Sequence, residues 1–426
     1  MHIPPATQRR VVIIGAGFGG QEVAKHLAGA PVDILLLDRN NYYGFWPLLY
    51  QVATAGLEPQ EIALPTRALL RGIPNIQFRV AQVERVDFDR RVVATDQGDF
   101  PYDEVVISAG TATNFFGLPE IEAQSFDLKD VPAAVALRNH LITCFERAVG
   151  TDDVAERQRL LCFVVVGGGP TGVELAGAIT ELTRHVMPKD YPALDFAQVQ
   201  IHLLEATNRL LAAFPDRLGR KAQRTLTSMG VNVQLGVSVT GYQDSCLRFE
   251  DGNQLSTATV IWAAGVKAAA LATTLPVTRQ RGDRIPVTPE LQLADRPEVW
   301  VLGDMAYLEG PDGKPYPQLA TVAMQQGRLV ARNLVRKLRG KPLEPFHYFD
   351  KGMMATIGRR RAVARIWNMN WSGTIAWWLW LGVHILYLAG FRNRVLVLIN
   401  WAYSYLTYDR GARAVFATTQ RADDTL

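Results

Sequence analysis

The sequence predicts an α/β fold: two doubly wound units, the second inserted in the first, followed by a helical C-terminal segment. Three observations carry this. Two glycine turns of the form G-x-G-x-x-G lie about 150 residues apart, Gly15-Ala16-Gly17-Phe18-Gly19-Gly20 and Gly167-Gly168-Gly169-Pro170-Thr171-Gly172. Each follows an apolar, β-branched run, Val11-Val12-Ile13-Ile14 in the first case and Phe163-Val164-Val165-Val166 in the second. Each precedes a further apolar strand that ends in an acid, Asp38 after Ile34–Leu37 and Glu205 after Ile201–Leu204. A glycine turn between strand and helix lets backbone N–H groups close on a pyrophosphate at the helix N-terminus, and the acid accepts hydrogen bonds from ribose hydroxyls. One such match is weak, because glycine triplets are common. Two, each with its strand and its acid, specify two Rossmann-like units and two dinucleotides, one in each. The alternative for Asp38 and Glu205 is an ordinary strand-end acid facing solvent.

The elements follow in order. Asp38 lies 23 residues past Gly15, and Glu205 lies 38 past Gly167, against a usual spacing of about 20. The stretch from Glu181 to Gln200 accounts for the excess as a lengthened helix and a loop carrying Pro188 and Pro192. Val105-Val106-Ile107-Ser108-Ala109-Gly110 reads as a buried strand ending in a tight turn, and a helix between 120 and 150 bridges to the second unit. From 160 to about 280 the pattern repeats, with a helix near 217–229 and a closing strand Val260-Ile261-Trp262-Ala263-Ala264-Gly265. Val299-Trp300-Val301-Leu302-Gly303-Asp304 returns as another buried strand before a helix from about 318 to 338. Repetition followed by return is the layout of one domain interrupted by another. The expected divisions are 1–119, 120–284, 285–345 and 346–426.

At 426 residues the chain exceeds a single core. Cys144, Cys162 and Cys246 are scattered with no C-x-x-C, which argues against a disulfide framework, a redox thiol pair or a zinc site, so no metal is expected. Residues 1–10 are too few and too polar for a signal peptide, so a reducing, cytoplasmic setting is expected. The net charge of +4 is uneven: from Lys351 onward ten Lys/Arg face three Asp/Glu, leaving the tail at +7. Six of the nine tryptophans lie in that tail, at 367, 371, 377, 378, 380 and 401. A basic, aromatic tail meets nucleic acid or anionic lipid. No nucleic-acid motif accompanies it, which leaves the lipid surface.

No charged residue occurs from Ile366 to Phe391, a run of 26 residues. As one helix it would reach about 39 Å, enough for a bilayer core of about 30 Å. A second run, Val395 to Tyr408, has 14 residues and is too short to return. Arginines flank both runs on every side, without the one-sided bias of a spanning helix. Gly373 and Gly382 interrupt the first run. Helices lying in the membrane interface therefore fit better. A homodimer or core contact through the same helices, or a single span, are the alternatives.

Together these pieces resemble the glutathione-reductase-like flavoproteins with two dinucleotide-binding domains. The finer resemblance is to the type II NADH:quinone oxidoreductases, the single-subunit NADH dehydrogenases that attach to membranes. It runs from about residue 10 to about 415, through NNYYGFWPLLYQVATAGLEP (40–59), GTATNFFGLPE (110–120), GGGPTGVELAGAI (167–179), ATVAMQQG (320–327), KGMMATIGRRRAVA (351–364) and FRNRVLVLINW (391–401). The resemblance implies that Gly15, Gly17, Phe18, Gly20, Asp38 and Arg39 hold the ADP half of non-covalent FAD. Ala109, Gly110 and Thr111, with Gly303, Asp304, Ala320 and Thr321, would serve the rest of that group. Gly167, Gly169, Pro170, Thr171, Gly172, Glu205 and Gly265 would bind NADH. Glu205 favours NADH over NADPH: a 2′-phosphate about 4 Å from its carboxylate costs roughly 4 kcal/mol at an effective dielectric of about 20, before screening. Arg209, four residues on, would soften that preference.

Thr321, Gln325 and Gln326 are the implied quinone contacts. The family's motif there is A-Q-x-A-x-Q, and Thr321 stands where its first glutamine would be. Glu174 and Gln325 are the implied catalytic residues, Glu174 beside the nicotinamide and flavin. The alternative for Glu174 is a helix-dipole acid in the first turn. The implied activity is oxidation of NADH and reduction of a membrane quinone, without proton pumping, at the cytoplasmic face of the cell membrane, with the protein peripheral and a homodimer compatible. Two other readings stay open: a sulfide:quinone or ferredoxin-type reductase, and a membrane-recruited flavoprotein that senses NADH. The unpaired cysteines count against the sulfide enzyme.

Overall fold

The strand Arg9–Ile14 sits inside a six-stranded sheet, between Val32–Asp38 and Glu104–Ile107. The computed structural model describes residues 9–415. The full strand order is Gln292–Leu293, Arg296–Val301, Glu104–Ile107, Arg9–Ile14, Val32–Asp38 and Ile76–Val80, parallel except at the short first strand. Both faces are covered. Val12 and Ile14 pack with Leu35, Val105 and Val299 on one side, and Val11 and Ile13 with Ile34, Trp300 and Leu329 on the other. A strand buried on both faces reads as an unbroken apolar run, so these segments show no period-two alternation. The helices Phe18–His26 and Ala320–Leu338 cross on the second face. Their backbones touch at glycines: a Cβ on Gly327 would lie 2.5 Å from the Gly19 carbonyl oxygen. This sheet, with the antiparallel meander Val83–Asp87, Val92–Thr95 and Gly98–Pro101, belongs to a unit made of the chain through Gly44, Ala63–Asn114 and Gly265–Lys351.

A second unit comprises Phe45–Ile62, Phe115–Ala264 and the chain from Gly352 onward. Its four-stranded parallel sheet runs Asn232–Leu235, Gln200–Glu205, Cys162–Val166, Thr259–Trp262. The bridging helix is Val131–Gly150, started by Asp130, whose carboxylate accepts from Ala133 N at 3.0 Å. The expected helix near 217 is Asp216–Ser228. The long gap before Glu205 holds a helix Pro170–Glu181, a π-helical turn Leu182–Val186, a short helix Met187–Asp190 and a 3-10 turn Phe196–Gln198.

The tail departs from a single long helix. The chain from Met353 forms a three-stranded antiparallel sheet, Met353–Gly358, Arg361–Ile366 and Met369–Gly373, then the helices Thr374–Tyr387 and Phe391–Thr407. The 26-residue uncharged run is thus part strand, and Gly373 (φ 74°) turns the chain into a helix of 14 residues. Among the described residues no helix is long and apolar enough to cross a membrane. One face of the tail is core: Ala376 and Trp377 pack on Ala362 and Ala364, and Trp380 is buried as well.

Candidate functional site

The two glycine turns repeat one another atom for atom. At the first, Gly15 N donates to Leu37 O (2.8 Å), Ser108 N to Ile14 O (2.8 Å), and Ala16 N to Asp38 Oδ2 (2.7 Å). At the second, Gly167 N donates to Leu204 O (2.7 Å), Ala263 N to Val166 O (2.7 Å), and Gly168 N to Glu205 Oε2 (2.6 Å). In each turn the first and last glycines are sterically required. Gly15 and Gly167 have φ of +96° and +113°, and a Cβ on Gly20 or Gly172 would lie 1.8 Å from the carbonyl oxygen of Gly15 or Gly167. The middle glycines differ: a Cβ on Gly17 or Gly169 would meet no protein atom within 4 Å. The backbone is therefore stripped of a side chain on the side where protein ends, as a phosphate cradle needs.

Neither acid is a solvent-facing strand end. Asp38 also accepts from Asn40 N (2.7 Å), and burial raises its pKa against those backbone bonds and nearby Arg39. Glu205 accepts from Thr207 N (2.8 Å) with its other oxygen. Carboxylate oxygens offer about four lone pairs, so both retain capacity for ribose hydroxyls. Phe18 meets Tyr43 edge-on at 5.6 Å, on the helix that opens at the first turn. Gly110 (φ +74°) leads into Thr111–Thr113, which pairs with Val266–Ala268 just after Gly265. Pro170 and Thr171 open the helix Pro170–Glu181.

Around Gly303 the first unit is supported by a residue expected elsewhere. Gly303 (φ +69°) donates its N–H to Gln326 Oε1 at 2.7 Å, and Gln326 is 1% exposed. Expected to touch a quinone, Gln326 instead holds the Gly303-Asp304 turn, because the helix from Ala320 turns position 326 inward. Its neighbours point the other way. Thr321 Oγ1 lies 2.9 Å from Tyr348 Oη, and the Gln325 amide both donates to Phe349 O (3.0 Å) and accepts from Phe349 N (2.9 Å).

In the second unit Glu174 is past the first helical turn, so the dipole alternative does not describe it. It lines a cavity of about 80 Å³ whose walls include Tyr50, Gln51, Glu181, Arg359, Trp380 and Arg410. Gly177 brings the wall together: a Cβ there would lie 1.8 Å from Ile357 O, so the helix rests directly on the strand Met353–Gly358. Thr356 N on that strand donates to Glu174 Oε1 at 3.3 Å. Burial pushes the Glu174 carboxyl up to about 8, against the opposing pull of Thr356 N–H and the Trp380 indole. Nearby, Trp401 Nε1 donates to Gln51 Oε1 (2.8 Å) and Gln51 Nε2 to Tyr50 Oη (2.8 Å). His384 stacks on Trp380 with centroids 3.9 Å apart, and burial lowers it to about 4, so it is neutral.

Known proteins share this plan. A family described as pyridine nucleotide-disulphide oxidoreductase matches residues 9–327, and one described as the NDH2 C-terminal domain matches 351–408. The type II NADH:quinone oxidoreductase Ndh of Mycobacterium tuberculosis is 37% identical, over 98% of this chain and 92% of that one. This chain is a type II NADH:quinone oxidoreductase. A second mycobacterial relative, NdhA, is 36% identical over 96% of this chain and 89% of its own. Among solved structures, NDH2 from Plasmodium falciparum in complex with NADH has a TM-score of 0.88, covering 95% of this chain and 99% of that one; at 18% identity it shows the common fold alone.

Sequence reasoning missed several residues of this oxidoreductase's cavity. Tyr50 and Gln51 lie in a stretch legible only as a resemblance. Arg359 likewise lay only in a stretch of resemblance, KGMMATIGRRRAVA, and Arg410 read as a flanking charge of the second apolar run. The three cysteines are free thiols, and burial lifts Cys144 and Cys162 to about 11, far from redox readiness.

Proposed function

We propose that this type II NADH:quinone oxidoreductase, which oxidises NADH and reduces a quinone, keeps non-covalent FAD in the cradle around Gly15, Gly17, Gly20 and Asp38. The observation that carries this is the pair of equivalent cradles, each with an open middle glycine and an acid bonded to the turn. One cradle serves a resident dinucleotide and the other an exchanging one. Gly110, Thr111, Gly303 and Asp304 would hold the remainder of FAD, which when bound supplies the relay between a two-electron donor and an acceptor.

The chain's own residues bind and orient. Gly167, Gly169, Pro170, Thr171 and Gly172 present N–H groups and a helix N-terminus to the NADH pyrophosphate, and Glu205 selects the unphosphorylated ribose. Thr321 and Gln325 face the quinone. The amide of Gln325 uses one donor and one acceptor on Phe349 and keeps a second N–H to donate to a quinone carbonyl. Glu174, protonated at neutral pH, delivers a proton as the quinone becomes a quinol. The functional division into 1–119, 120–284, 285–345 and 346–426 belongs to the same proposal. So does attachment: the tail carries exposed Trp378, Leu386, Phe391 and Leu406, flanked by arginines, and this supports a peripheral location on the cytoplasmic face with the quinone drawn from lipid. No proton pumping is part of this reading.

The test is spectroscopic. Purified protein should be yellow, lose its flavin absorbance on NADH addition without oxygen, and recover it when a menaquinone or ubiquinone analogue is added. A colourless protein that stays so after refolding with FAD would end the proposal. Bleaching without recovery by any quinone would favour an NADH sensor.

A further inference from the structure

The last helix, Phe391–Thr407, ends at Tyr408 in a left-handed conformation (φ 53°), and the six residues 408–413 then form a strap inside the second unit. Lys189 Nζ donates to Thr407 O (3.1 Å) and Tyr408 O (3.4 Å), and Arg413 pairs with Asp190 at 2.7 Å. Between them Arg410 turns inward. Its side chain is 10% exposed. One terminal nitrogen donates to Thr54 O (2.7 Å) and Ala178 O (3.3 Å), and the other to Glu181 Oε2 (3.2 Å). Glu181 Oε1 accepts from Arg359 N, and the Arg359 guanidinium lies over the rings of Tyr405 (4.7 Å) and Tyr408 (4.1 Å). Arg410 thus joins three backbone segments at the cavity that Glu174 lines, and it lies just past residue 408, where the match to the NDH2 C-terminal domain stops.

We infer that Arg410 is a positioning residue for quinone reduction, a latch that holds the strap over the Glu174 cavity, keeps bulk water out and keeps Glu174 protonated. This rests on the reading of Glu174 as the proton donor to the quinone. The titratable groups that line the cavity with Glu174 are Tyr50 from the helix Leu49–Ala53, Glu181 and His185 from its own helix and the π turn, Arg359 from the turn after Met353–Gly358, Tyr405 and Tyr408 at the end of the last helix, and Arg410. Burial, and not the charge of Arg410, is the leading cause of Glu174's high proton affinity. Opening the cavity therefore acts through hydration and lowers that affinity.

The experiment compares Arg410→Gln and Arg410→Lys with the unmodified holoenzyme. Flavin bleaching by NADH reports the donor half, and flavin recovery by menadione across pH 6–10 reports the acceptor half. The alkaline limb of recovery is expected to move down by about one pH unit in Arg410→Gln, less in Arg410→Lys, with bleaching unchanged. The infrared band of a protonated carboxylic acid at pH 7 should weaken in parallel. A merely structural residue would change stability and leave the limb and the band where they were, and that result overturns the inference. If Arg410→Gln does not fold, Arg410→Lys decides alone: a limb at the unmodified position overturns it. A failure of the underlying reading looks different, since Glu174→Gln would then leave the alkaline limb of the unmodified holoenzyme in place.

Discussion

Gly17 and Gly20 stand three residues apart in one turn and answer to different partners. A methyl on Gly20 strikes Gly15 O, whereas one on Gly17 strikes no protein atom. Gly20→Ala should destabilise the folded chain by about 1–3 kcal/mol. Gly17→Ala should fold with an apoprotein Tm unchanged to within about 2 °C but lose most of its flavin. Flavin absorbance and thermal melts read the two apart, and retention of flavin in Gly17→Ala would remove the first cradle as its seat. Glu205→Gln should raise kcat/KM for NADPH by about tenfold or more, because a like charge at the 2′ position is removed. NADPH use staying nil would show that shape, not charge, selects. Glu174 sets a pH dependence whose sign follows from its raised pKa. Below about 4.5 both folded and unfolded chains hold its proton; between 4.5 and about 8 the folded chain holds more. Stability therefore falls as pH rises through that window, by an amount on the order of a few kcal/mol, and Glu174→Gln should flatten the fall in denaturant titrations. The same variant should remove the alkaline limb of quinone reduction near pH 8.

At the scale of elements, what was legible depended on whether an element's reason lies within a few residues. The cradles were readable because Gly15 to Asp38 and Gly167 to Glu205 are local units whose glycines have steric causes. The helix Ala320–Leu338 was readable from its period, yet which of two adjacent glutamines faced inward was not; that depends on Gly303, 23 residues away. The uncharged run from 366 to 391 could not be divided by hydropathy, because its strand Met369–Gly373 owes its existence to pairing with Arg361–Ile366. Arg410 was invisible as a site residue, since its partners Thr54, Ala178 and Glu181 lie hundreds of positions earlier. The helix–strand contact at Gly177 gives this scale its own prediction. Gly177→Ala must push the helix from Ile357 O, costing about 1–3 kcal/mol. It also stretches the Thr356 N–Glu174 bond. Recovery of flavin by quinone should slow more than bleaching by NADH. Equal slowing would show that the helix moves as a whole and that Glu174 is not the sensitive point.

For the molecule as a whole, the tail divides its aromatics between two surroundings, and the division predicts how each will respond. Trp377, Trp380 and Trp401 are buried and tie the last two helices to the second unit. Trp378 (64% exposed), Phe391 (81%) and Leu406 (85%) are not. Exposed large apolar side chains among arginines, on helices too short to span, are the composition of an interfacial anchor. Folding energy depends little on these three, whose main protein contact is the edge of Trp378 against Trp377 (4.9 Å), so Trp378→Ser, Phe391→Ser and Leu406→Ser should each leave the Tm within about 2 °C. Each removes roughly 1.5–3 kcal/mol of transfer energy if its side chain enters the acyl boundary, so the triple variant should lose binding to anionic vesicles by at least about a hundredfold. Turnover with water-soluble menadione should be preserved, while turnover with a long-chain quinone held in vesicles should collapse. Trp380→Ser, by contrast, should damage both, because that ring walls the Glu174 cavity. Sedimentation with vesicles of phosphatidylglycerol measures the first effect. If the triple variant still sediments with them, the exposed face is not the anchor, and a contact between two copies of the chain becomes the reading to test by its molar mass in solution.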